Sequence, residues 1–85
     1  MSKFEIQCVV VTGGASGIGE ATVRAIINEG GSVLIADLQE ERGQALVSEL
    51  GSRAAFHFTD VTREDDIVGA IALAQNEFGP LTGMV

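Results

Sequence analysis

Thr12-Gly13-Gly14-Ala15-Ser16-Gly17-Ile18-Gly19 is the stretch on which the fold turns. Before it stands Cys8-Val9-Val10-Val11, a short β-branched run that reads as a buried strand. After it an amphipathic stretch reaches Glu29, with Ile18, Ala21, Thr22, Ala25 and Ile26 at helical spacing. A strand that enters a glycine cluster and leaves it as a helix is the first half of a βαβ unit. The glycines have separate tasks: Gly13 lets the chain turn off the strand, Gly17 carries no side chain above the turn, and Gly19 lets the helix pack closely.

The same alternation continues outward. Gly30-Gly31 stops the first helix, and Ser32-Val33-Leu34-Ile35-Ala36 is a second buried strand ending at Asp37. Gln39 to Leu50 predicts a second helix, with Arg42, Ala45, Leu46, Glu49 and Leu50 along one side and Gly51 as its cap. Ala54 to Phe58 is a third strand. Thr62 is expected to cap a third helix, with Glu64, Asp65 and Asp66 in its positive first turn. The core face of that helix is Ile67, Ala70, Ile71, Ala74 and Phe78, and Gly79-Pro80 ends it. Leu81 to Val85 opens a fourth strand. The order βαβαβαβ predicts an α/β fold built on a parallel sheet with right-handed crossovers; together with the glycine loop and Asp37 it reads as a Rossmann-type three-layer αβα arrangement, whose strand order is 3-2-1-4, cut within the fourth strand.

A glycine turn at a helix start presents free backbone N–H groups to an anion, assisted by the helix dipole. Without a ligand it would be only a tight turn. Its context favours a dinucleotide, because the loop follows a strand, opens a helix, and precedes by some twenty residues an acid at the end of the second strand. Gly13, Ser16, Gly17, Ile18 and Gly19 are the candidates to surround the pyrophosphate. Asp37, followed by Leu38, is placed to accept hydrogen bonds from the adenosine ribose hydroxyls. No basic residue stands at Ser16 or Leu38 to neutralise a 2′-phosphate, so the pattern favours NAD over NADP. A P-loop is excluded, since it needs a lysine in the loop and Lys3 is the only lysine in the chain.

Composition narrows the remaining classes. A net charge of −7 opposes nucleic acid and anionic membrane surfaces as partners. One cysteine, Cys8, excludes an internal disulfide and a cysteine-based zinc site, and its apolar surroundings predict a buried, inert thiol. The opening residues lack the apolar stretch of a signal peptide, and no apolar run approaches a membrane span. Cytoplasmic residence is the expectation. His57, the only histidine, reads as a satisfied strand residue, and Glu64, Asp65 and Asp66 as helix-start charges; no metal site is expected.

The motif at Thr12–Gly19 resembles that of the short-chain dehydrogenase/reductase family, and the likeness extends over all 85 residues. A second motif agrees with it: Asp60-Val61 follows the third strand, and the resemblance implies that this pair borders the adenine ring. The glycine motif, Asp60-Val61-Thr62 and Phe78-Gly79 resemble the type 2 3-hydroxyacyl-CoA dehydrogenase branch. The resemblance implies a parent enzyme, a homo-oligomer, that transfers hydride between NAD(H) and a small-molecule secondary alcohol or ketone. It also implies an Asn-Ala-Gly segment after the fourth strand, braced by the Thr12 hydroxyl, then a catalytic Ser and a Tyr-x-x-x-Lys pair. This sequence has no Tyr and stops at Val85, about where Asn-Ala-Gly would begin. Residues 1–85 are therefore expected to be the dinucleotide-binding half of a domain, with no catalytic residue and no activity alone. The alternatives are a free-standing nucleotide-binding module, or an interaction piece that folds when its open sheet edge pairs with another chain.

Overall fold

Four parallel strands form one sheet in the computed structural model, which describes residues 8–15 and 17–85. The elements are β1 (Cys8–Thr12), α1 (Gly17–Asn28), β2 (Ser32–Asp37), α2 (Glu40–Leu50), β3 (Ala54–Phe58), α3 (Glu64–Phe78) and β4 (Gly83–Met84). The sheet order is β3-β2-β1-β4, the order expected of a Rossmann-type sheet. β1 pairs with β2 from Cys8 against Ser32 to Thr12 against Ala36. On its other side β1 takes β4, with Val9 opposite Gly83 and Val10 opposite Met84.

Period-2 alternation in the two central strands divides the core in two. Val9, Val11, Val33 and Ile35 face α1 and α2, and are buried with Val23, Ile26 and Leu46. Cys8, Val10, Leu34 and Ala36 face the opposite layer, where Ala70 and Ala74 of α3 pack on them. Both faces of these strands are covered, and this accounts for their unbroken apolar sequence. The Cys8 thiol is buried 3.8 Å from the Ala74 carbonyl, and burial pushes its pKa up, so it is the inert thiol expected.

Three helix details differ from the sequence expectation. The buried residues of α1 are Val23 and Ile26, while Ile18, Ala21 and Ala25 face outward. Gly19 sets this rotation, because its bare Cα lies against the Gly13 carbonyl and carries Val23 and Ile26, four and seven residues on, toward the sheet. In α2 the buried pair is Gly43 and Leu46, with Ala45 exposed. Gly43 is on the inner side because the Phe56 ring fills the space a side chain would need. Thr62 does not cap α3. Arg63 occupies that position without a side-chain cap, since the Thr62 hydroxyl is engaged by Asp60.

Candidate functional site

All strands end on the same side of a parallel sheet, and order 3-2-1-4 reverses direction at β1. Crevices in such sheets open at the carboxyl ends of the strands beside that reversal. There the structure has a depression of about 250 Å³, lined by Gly13 at the end of β1, Asp37 and Leu38 after β2, and Thr59, Asp60, Val61 and Thr62 after β3, with Ala36 at its base. Gly13 and Asp37, linked by sequence spacing, and Asp60-Val61, linked by the family resemblance, thus line one opening. A larger depression, of about 450 Å³, lies between α1 and α2, away from the strand ends.

The glycine loop is shaped by three separate constraints. Gly13 and Gly17 adopt φ of +68° and +57°, a left-handed region costly for residues with a Cβ, and a Cβ at either would meet nothing within 4 Å. The space above both is open. Gly19 is the opposite case, as a Cβ there would collide with the Gly13 backbone. Ile18, counted from the sequence both in the apolar spacing of α1 and among the loop candidates, projects from the first turn of that helix with 87% of its surface exposed. Ser16, the remaining loop candidate, lies outside the described residues.

Asp37 is only 8% exposed, and its carboxylate is held by backbone donors. The Ala15 N–H donates to Oδ2 at 3.0 Å and the Gln39 N–H to Oδ1 at 2.9 Å. A carboxylate has about four acceptor positions, so both oxygens keep capacity toward the depression. Sequence reasoning missed the Ala15 contact, since residues 22 positions apart meet only once β1 and β2 pair. It also missed Arg42, which donates from Nε to the Ala15 carbonyl and from Nη2 to Glu20 Oε1 at 3.3 Å.

Asp60 sits across the opening. Its Oδ1 accepts from the Thr62 hydroxyl at 2.6 Å and the Thr62 N–H at 2.9 Å. These hydrogen bonds, the hydroxyl first, hold its carboxyl below the usual carboxylate range. Among the described residues nothing donates to Oδ2. The Asp60 N–H donates to Asp66 at 3.0 Å, so one acid of the α3 first turn anchors this loop. Val61 and Leu38 stand more than half exposed on either side, apolar walls without cover.

Other polar candidates are internally satisfied. His57 Nδ1 lies 2.9 Å from the Thr59 hydroxyl, which itself donates to the His57 carbonyl, and its ring packs at Gly69 of α3. No group of three or more metal-ligating side chains occurs among the described residues. No helix there is long and apolar enough to cross a membrane. The Thr12 hydroxyl and N–H both donate to the Val85 carbonyl, at 2.7 and 2.8 Å, so Thr12 ties the end of β1 to the strand beside it.

This arrangement has counterparts among known proteins. The sequence model of short chain dehydrogenases matches residues 7–85. The chain belongs to the short-chain dehydrogenase family. It is 39% identical over 83 residues to 2,5-dichloro-2,5-cyclohexadiene-1,4-diol dehydrogenase of Sphingobium indicum, a match covering 98% of this chain and 33% of that protein. The solved structure of 3-hydroxyacyl-CoA dehydrogenase type-2 from Mycobacterium avium superposes with a TM-score of 0.91 at 48% identity, over 99% of this chain and 33% of that one. A 3-ketoacyl-(acyl-carrier-protein) reductase from Brucella melitensis, solved in complex with NADH, gives 0.92 at 26% identity, over 96% of this chain and 34% of that one. The chain thus spans about a third of the length of the relatives it matches.

Proposed function

We propose that this chain forms the NAD(H)-binding half-site of an oxidoreductase acting on a secondary alcohol or ketone. The observation that carries the reading is the convergence of Gly13, Asp37 and Asp60 on one opening at the strand ends. The volume of about 250 Å³ suits an adenosine moiety. Open space over Gly13 and Gly17 leaves room for a pyrophosphate to approach the backbone, and the first-turn N–H groups of α1 supply donors. Asp37 would accept from the ribose hydroxyls, Asp60 Oδ2 from the adenine amine, and Leu38 and Val61 would flank the ring, with Ser16 and Ile18 along the phosphates. When bound, the dinucleotide supplies hydride chemistry to the alcohol or ketone.

The choice of NAD over NADP follows from Asp37. A buried carboxylate at the ribose position repels a 2′-phosphate, and the guanidinium nearest the loop, that of Arg42, is already shared by the Ala15 carbonyl and Glu20. Calorimetric titration of the protein carrying this sequence with NADH and NADPH tests the reading; equal affinities would overturn it.

These residues hold and orient a cofactor, and none is placed to move the proton of a substrate hydroxyl. The acid–base group of the family is a Tyr, and the sequence has none. A polypeptide limited to these 85 residues is expected to form no NADH from secondary alcohols or 3-hydroxyacyl-CoA above a no-protein blank. The similarity to 3-hydroxyacyl-CoA dehydrogenase type-2 makes a 3-hydroxyacyl-CoA the first substrate to try with the catalytic residues present. A homo-oligomer working in the cytoplasm is the setting we infer.

A further inference from the structure

Ala15 is fully buried in the middle of the glycine loop, and both of its backbone polar groups are taken by side chains from elsewhere. Its N–H donates to Asp37 at the end of β2, and its carbonyl accepts from Nε of Arg42 in the first turn of α2. The two peptide planes flanking Ala15 are thereby fixed by residues 22 and 27 positions away. Arg42 does not stand alone. Glu20, in the first turn of α1, receives Arg42 at 3.3 Å and Arg24 at 2.9 Å, and Arg24 continues to Glu49 of α2 at 2.6 Å. An uncompensated Glu20 beside the start of α1 would repel any anion bound there; the two guanidiniums offset it.

We propose that Arg42 is a positioning residue for the phosphate-binding loop: it clamps the Ala15 carbonyl, and with Asp37 on the N–H it presets the path by which the chain enters α1. The inference rests on the NAD(H) reading above and deepens it. A peptide is planar, so holding its carbonyl holds the orientation of the plane. A loop already held in its binding shape loses less entropy when the ligand arrives. The clamp acts on the pyrophosphate part of the ligand, whereas adenosine is met by Asp37, Asp60, Leu38 and Val61. Asp37 therefore does double duty, reading the ribose and anchoring the loop that reads the phosphates.

The test compares ligands with and without the pyrophosphate. NAD, ADP-ribose and adenosine are titrated into the wild-type protein, R42Q and R42K. R42Q is expected to bind NAD and ADP-ribose about tenfold more weakly, the loss of one charge-assisted hydrogen bond, while adenosine affinity stays within about twofold. R42K, which keeps a charge and one donor, should recover part of the loss. In the ligand-free protein the Ala15 amide should exchange faster in R42Q, with the β1 amides unchanged. Unaltered NAD affinity in R42Q overturns the clamp, as does an equal loss for adenosine, which would report general destabilisation. Should R42Q fail to fold, R42M, which keeps the aliphatic stem and removes every donor, carries the same comparison, and wild-type affinity for NAD in that variant overturns the clamp. A wild-type protein that binds none of NAD, ADP-ribose and adenosine would instead sink the underlying cofactor reading.

Discussion

The two sides of the opening are built differently. On the glycine-loop side Asp37, Ala15 and Arg42 are joined across β2, the loop and α2 by contacts between residues far apart in sequence. On the other side Asp60 is held by Thr62 two positions on and Asp66 six positions on. The first side exists only once the sheet has formed. The second is a local turn that an isolated loop could largely make. Changes on the loop side should therefore disturb stability and binding together, and changes on the Asp60 side should fall mainly on binding.

The largest expected effect is at Gly19. Gly19→Ala drives a Cβ into the Gly13 backbone, which cannot yield as a flexible side chain would. Overpacking of this kind costs about 1–3 kcal/mol and sometimes more. Gly17→Ala meets open space and bears only the left-handed φ, about 1–2 kcal/mol. Chemical denaturation of both variants should rank Gly19→Ala as the less stable. If Gly17→Ala proves worse, loop conformation rather than close packing dominates here.

Asp37→Ala and Asp60→Ala separate the two sides most directly. Removing Asp37 leaves the buried Ala15 N–H without its acceptor, at about 1–3 kcal/mol. It should also weaken NAD more than NADP, by lifting repulsion from the 2′-phosphate. Asp60→Ala loses hydrogen bonds to a largely exposed Thr62, so its stability cost should be no more than about 1 kcal/mol, with weakened adenosine binding. Equal stability losses in the two variants would erase the distinction between a long-range and a local side.

How much of this could be read beforehand follows the same division. The strand-helix alternation, the glycine spacing and the acid ending β2 are short-range patterns, and they led to the Rossmann-type sheet and two of the loops that meet, while the Asp60-Val61 loop came with the family resemblance. The contacts of Ala15 with Asp37 and Arg42 depend on how closely β2 and α2 approach the loop, and no local pattern encodes that distance. The rotation of α1 was misread for a related reason. Small and β-branched residues lie on several of its sides, and the close approach at Gly19 decides which side faces the sheet. Thr62 looked like a cap because Ser and Thr favour that position, but Asp60 competes for its hydroxyl through a two-residue turn.

The smallest expected effect concerns the charges that tie α1 to α2. The Arg24 guanidinium, hydrogen-bonded to Glu20 and Glu49, holds both carboxyls below their ordinary range. A carboxyl whose pKa is lower in the folded than in the unfolded state binds fewer protons when folded, so ionisation favours folding. Its contribution is fully present above the unfolded value, near 4.3, and is lost as pH falls through the depressed folded value. Stability should thus decline below about pH 5 and less steeply in Arg24→Gln, where the two acids titrate closer to their unfolded values. These groups are open to solvent, so the difference should be small and should shrink further in molar salt. Thermal unfolding midpoints of the wild-type and Arg24→Gln proteins between pH 3 and 7 measure it. Parallel pH profiles would mean that the Arg24 pairs add nothing measurable, leaving the shared apolar core and the Arg42 contacts to Glu20 and Ala15 to join α2 to α1 and the glycine loop.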